Sequence, residues 1–214
     1  QGVWNCHEKA PWGGTYFHNI NVQMNYWPAF STNLAETFIS YWDYMQAYMP
    51  AAEANADYVV NRFNKDKYDE DGGNGWGIGV SAFPNEVQWD RSAGNLGFTT
   101  QLLWDYYEYT KDSEILEAVY KLLISAARFI VKSVELTEDG YYLVSHCDSP
   151  EMFVDGVWYY TVGTTYAQTF AYTNNYNALL AAAELGIDFS DESREDYAIL
   201  QRVLEQIDKY DPIN

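Results

Sequence analysis

Positive charge is scarce in this chain. Lys and Arg number 12 against 31 Asp and Glu, a net charge of −19 at neutral pH, so no basic surface exists to neutralise phosphates and nucleic acid is not an expected partner. Acidity on this scale reports solubility and self-repulsion rather than a fold. Cysteine is nearly absent: Cys6 and Cys147 stand far apart, which indicates neither a dense disulfide framework nor a zinc cluster and leaves a single disulfide open. The three histidines, His7, His18 and His146, are too scattered for a ligand set, so no metal or other cofactor is expected. No run of about 18 apolar residues occurs, so no membrane-spanning helix is expected. The first residues carry no basic-then-apolar targeting pattern. The chain opens on Gln1 and stops at Asn214 just after a helical pattern, and is therefore read as part of something longer.

What is present is apolar and aromatic. Apolar residues make up 48% of the 214, enough for the core of one domain, and 20 Tyr with 8 Trp raise the aromatic share to 18%. Such a surplus of rings suits a saccharide cleft, because an aromatic face covers the C–H side of a pyranose; the same rings also pack between helices. The most informative stretch is His18-Asn19-Ile20-Asn21-Val22-Gln23-Met24-Asn25-Tyr26-Trp27-Pro28, which sets Asn19, Asn21 and Asn25 among aromatics ahead of a helix. A carboxamide offers two donors and an acceptor without charge, so it can hold a sugar hydroxyl or orient a water. A helix N-cap followed by core aromatics would look alike.

Along the chain, residues 1–18 read as a structured loop rich in Trp, Gly and Pro. Residues 33–63 place Leu34, Phe38, Ile39, Trp42, Met45 and Met49 at helical spacing, with Asn33 and Glu36 as an N-cap pair. Pro50 is expected to begin a second helix, with Ala54, Tyr58 and Phe63 inward. Residues 64–94 break the rhythm with an acidic loop and Gly72-Gly73-Asn74-Gly75-Trp76-Gly77, a long loop of the kind that tends to be functional. Helices are predicted over about 95–109, from an N-cap at Ser113 to about 134, over 165–185 ended by Gly186, and over 190–209. Between them the segments 141–144 and 157–160 alternate like the strands of a short hairpin. Helix pairs joined by loops, with one β excursion around residues 141–160, make an all-α pattern.

The His18–Pro28 block resembles the signature of glycoside hydrolase family 95, the inverting α-1,2-L-fucosidases. Gly2-Val3-Trp4-Asn5 and Pro11-Trp12-Gly13 resemble the opening of that family's catalytic domain, Trp104-Asp105-Tyr106-Tyr107 resembles a helix end in it, and Ser149-Pro150-Glu151 its acid motif. The chain departs from the family pattern at Phe17, Met152, the Thr165-Tyr166-Ala167 run and the Gly77-Ile78-Gly79-Val80 run. The resemblance implies a toroid of six helix pairs, the (α/α)₆ barrel, of which residues 1–214 would be the N-terminal part of one catalytic domain. It also implies Glu151 as general acid, Asn19 and Asn21 as holders of the nucleophilic water, and a base in a segment beyond residue 214. Rings flanking Glu151 would raise its pKa by desolvation. His18, Trp27, Trp76 and Trp158 are the candidate substrate contacts. Expected partners are an oligosaccharide or glycan and the remainder of the domain, with no membrane, in an extracellular or cell-surface bacterial setting rather than a cytoplasmic one. Two other classes fit less of the pattern: a saccharide-binding or cell-surface module without chemistry, and a helical-toroid lyase, which would want a cation near a Tyr or His base.

Overall fold

The computed structural model describes residues 6–67, 73–82, 93–149 and 152–210, and within them the protein is all-α with brief β excursions. The first loop carries a 3-10 turn (Pro11–Gly14) and a two-residue strand, β1 (Tyr16–Phe17). Two short helices follow, α1 (Asn21–Met24) and α2 (Trp27–Ser31), and then the long α3 (Ile39–Phe63). Strand β2 (Ser81–Ala82) pairs antiparallel with β1. Next come α4 (Ala93–Thr110) and α5 (Ser113–Lys132), then β3 (Val134–Leu136) with β4 (Tyr142–Val144), and β5 (Phe153–Val154) with β6 (Val157–Trp158). The last helices are α6 (Thr165–Glu184) and α7 (Tyr197–Ile207).

Packing sorts the helices into an inner and an outer row. Helix α4 lies between α1–α2 and α6, while α5 lies between α3 and α7 and backs onto both α4 and α6. The result is an arc of helix pairs, a partial helical toroid. Inner helices α4 and α6 run parallel, since Gly94 faces Tyr166, Gly97 faces Phe170, and the Tyr107 hydroxyl donates to Glu184 at 3.4 Å. Glycine sets their separation: a Cβ on Gly97 would lie 2.0 Å from the Phe170 carbonyl oxygen. Outer helix α5 is amphipathic, burying Leu116, Val119, Tyr120, Leu123, Ala127 and Ile130 at spacings of three and four.

Several local expectations shift. Helix α5 is capped one residue early, by Asp112, whose carboxylate accepts from the N–H groups of Glu114 and Ile115. Asn33 is no N-cap. It closes α2 with φ 58, its N–H donating to Phe30 O and the Leu34 N–H to Ala29 O, the Schellman arrangement that asparagine tolerates in the left-handed region. Gly186 ends α6 in the same way, at φ 67, as expected. Pro50 starts nothing, because α3 runs through it without interruption. Buried Met45, Tyr48, Ala51 and Ala52 on either side keep the helix continuous through a residue that costs it a hydrogen bond. Its buried stripe is Tyr41, Met45, Tyr48, Ala52, Asn55, Ala56 and Val59; of the expected face, Phe38 and Met45 are buried whereas Leu34 and Ile39 are exposed. A hairpin does lie within 141–160, formed by β5 and β6; β4 instead turns back onto β3. Helix α7 begins only at Tyr197, because Asp188 and Asp191 each accept from the N–H and hydroxyl of the serine two residues on and hold the chain in turns.

Candidate active site

The amide-rich stretch is placed by the alternation of the strand before it. Tyr16 points inward and stacks on Tyr44 at 4.5 Å between ring centroids, and His18 points inward against Tyr44 and Tyr48. Phe17 points the other way, to Trp12, with ring centroids 5.9 Å apart. The ladder continues one residue past β1, where the His18 N–H donates to Val80 O at 2.7 Å. Asn19 follows in the turn at residues 18–20 that leads into α1.

His18 is fully buried and both ring nitrogens are engaged, so it packs inside the fold and presents no face to a sugar. The Gly79 carbonyl can only accept, which makes Nδ1 the donor at 3.3 Å and leaves Nε2 to accept from the Tyr44 hydroxyl at 2.6 Å. Burial pushes its pKa down from 6.5 to about 4, partly offset by the Gly79 bond. An unfolded histidine takes up a proton below pH 6.5 that the folded one refuses until about 4, so this group's stabilising contribution is intact above that window and lost as pH falls through it. The loss amounts to about 3 kcal/mol across the window. The stability gap between wild type and His18→Gln, measured by urea unfolding, should narrow as pH drops from 6.5 toward 4. A gap independent of pH would contradict a neutral buried imidazole.

Gln23 anchors the same stretch to α4. It is fully buried, and its Nε2 donates to the His18 carbonyl at 2.5 Å and to Thr99 Oγ1 at 3.2 Å. Above this brace the two candidate amides differ. Asn19 is half-buried, with an Oδ1 that is shielded from solvent and has no hydrogen-bond partner, an acceptor ready for an O–H group. Asn21 is exposed at the first position of α1, its carbonyl accepting from the Asn25 carboxamide at 2.7 Å.

The other candidates separate. Trp27 is 45% exposed and leans on Phe98, available to a ligand. Trp76 is 1% exposed and donates its Nε1–H to Leu122 O at 2.9 Å, a core tryptophan rather than a surface platform. It is drawn inward because Gly75 passes so close to α5 that a Cβ there would lie 2.0 Å from Ser125 O, while the Gly77 N–H donates to Ala52 O on α3. Glu151 and the side chain of Trp158 lie outside the described residues. The loop around Glu151 is nevertheless anchored. Cys147 bridges to Thr161, the Thr164 hydroxyl donates to Asp148 O at 2.8 Å, and Thr164 caps α6. At the adjoining start of α4, the Tyr166 hydroxyl donates to Asn95 Oδ1 at 2.7 Å. Gln23 and Trp27 meet that same half of α4, at Thr99 and Phe98. The Asn19–Asn21 stretch and both flanks of Glu151 thus gather at the N-terminal end of the inner helices.

Sequence reasoning missed the brace of Tyr44, Gln23 and Thr99, whose polar atoms are buried at positions no periodicity marks. The thiols are free, Cys6 exposed and Cys147 buried with its sulfur accepting from Thr164 N–H and Oγ1 at 3.4 Å. Among the described residues no group of His, Cys, Asp and Glu is arranged to hold a metal, and no helix is long and apolar enough to cross a membrane.

Residues 1–213 match the glycosyl hydrolase family 95 catalytic domain. The chain is 30% identical over 163 residues to the probable alpha-fucosidase A of Aspergillus niger, covering 71% of this chain and 19% of the relative. It is 29% identical over 164 residues to alpha-L-fucosidase 2 of Arabidopsis thaliana, covering 71% and 18%. A probable alpha-fucosidase A of Aspergillus oryzae is 38% identical over 77 residues, 36% of this chain and 9% of that protein. The chain therefore spans about a fifth of the length of the first two.

Proposed function

Since the chain belongs to the glycoside hydrolase family 95 catalytic domain family, we propose that it forms the N-terminal part of the (α/α)₆ catalytic domain of an enzyme hydrolysing terminal α-L-fucosyl linkages, or the related α-L-galactosyl linkages, with inversion. Inverting hydrolysis needs an acid to protonate the departing oxygen and, across the sugar ring, an activated water. Glu151 is the acid, in a segment whose described flank at Asp148 is anchored beside the start of α6. Asn19 and Asn21 hold the water. The observation that carries this reading is the shielded, unpartnered Oδ1 of Asn19, a neutral acceptor suited to a water O–H, at the same end of the helices as the described flanks of Glu151. Trp27 and Trp158 supply apolar faces to the sugar.

Neither carboxylate beside Glu151 in the chain suits the base. Asp148 and Asp155 lie within a few residues of Glu151, whereas an inverting base must stand across the sugar, about 6.5–9.5 Å from the acid. On the family resemblance, the activating carboxylate is proposed to come from sequence beyond residue 214. An isolated polypeptide of these 214 residues should release no fucose from 2′-fucosyllactose under conditions in which the full-length protein does. Release by the fragment, with the product anomer followed by NMR, would place a base within these residues and sink the proposed division of labour. A saccharide-binding module is the outcome in which the full-length protein binds the trisaccharide and leaves it intact.

A further inference from the structure

Trp12 is the most exposed large apolar side chain among the described residues, at 76%, and it stands on backbone that disfavours it. Its φ of 48 and ψ of 33 are left-handed, and Gly13 and Gly14 follow with φ 71 and φ 70. A tryptophan held in that region without burial contributes little to the core, and strained residues of this kind cluster at ligand sites. The turn is held by the Thr15 hydroxyl donating to Trp12 O at 3.3 Å. The indole meets Phe17 edge to face, at an interplanar angle of 65°. Beside it Gly13 borders open space, since a Cβ there would meet nothing within 4 Å.

Phe17 ties this ring to the candidate site. Tyr16 and His18 face the core, so Phe17 and the Trp12 that rests on it lie on the outer face, two residues before Asn19 in the chain. The chain from Phe17 to Asn19 spans at most about 7 Å, and Phe17 is 5.9 Å from the indole, so Trp12 lies within about two to three sugar units of Asn19. That range suits a neighbouring pyranose. Resting on the hydrolase reading, we propose that Trp12, backed by Phe17, is a stacking platform for a hexose of the glycan that carries the terminal fucosyl unit.

The test uses the full-length protein and Trp12→Gly, a replacement the left-handed backbone accepts without strain. Expected is a roughly tenfold fall in kcat/KM on 2′-fucosyllactose, carried by KM, with an aryl α-L-fucoside turned over as before and Trp12→Phe in between. Thermal stability should not fall. Equal losses on both substrates, a lowered Tm, or no change on the trisaccharide would each overturn the platform, the first two by making Trp12 a packing residue. Calorimetric titration with lactose decides the matter even if neither substrate is hydrolysed, an outcome that ends the hydrolase reading alone. Weaker lactose binding by Trp12→Gly supports the platform; equal binding, or none by wild type, rejects it.

Discussion

Glu151→Gln in the full-length protein is expected to lower kcat on 2′-fucosyllactose by about 10²–10⁴-fold while leaving KM within a few-fold of wild type. The amide keeps the shape and the hydrogen-bonding reach of the acid but cannot deliver a proton. Protonation of the leaving oxygen matters only as the glycosidic bond breaks, so its loss falls on the transition state and spares ground-state binding. A leaving group that departs readily without a proton needs the acid less. An aryl fucoside with an acidic phenol should therefore lose far less than the trisaccharide, and the descending alkaline limb of the pH–rate profile should disappear with the acid. Equal losses on both substrates would mean that Glu151 serves the fold, and unchanged turnover would remove it from the chemistry. Either result redirects attention to another carboxyl at the same end of the helices.

Gly97→Ala should destabilise the protein by about 2–3 kcal/mol, although alanine is the better helix former by about 1 kcal/mol. The added methyl would sit 2.0 Å from the Phe170 carbonyl oxygen and 2.5 Å from its carbon. Both belong to the backbone of α6, and no rotamer change relieves a clash with backbone, so the parallel inner helices must part. Their separation disturbs the neighbouring contacts of Phe98 with Phe170 and of Tyr166 with Asn95. For a chain of this size the cost corresponds to a fall in Tm of about 4–12 °C, readable from helical circular dichroism. An unchanged or raised Tm would show that α4 and α6 do not meet through Gly97. Turnover should suffer beyond the loss of folded protein, because the candidate site is gathered where these two helices begin.

The sequence by itself determined the helical class, the helix from about Ser113 to 134, the glycine that ends α6, and the block carrying Asn19 and Asn21. These are local matters, set by spacing, capping and residue chemistry within a few turns of chain. Only the tertiary structure decided the fate of Pro50, since burial on both sides of it outweighs the bond it forfeits. The same holds for Asn33, which reads equally well as the start of one helix or the end of another until the Phe30 and Ala29 carbonyls are seen to claim the adjacent N–H groups. His18 and Trp76 look like ligands for a sugar because both carry polar atoms on ring systems. Their interior places depend on partners far along the chain, Tyr44 and Gly79 for one and Leu122 for the other. Trp12 shows the converse, an aromatic in the opening loop that the fold leaves in the open. Burial is a property of the whole packed arrangement, and one chain's local pattern does not contain it.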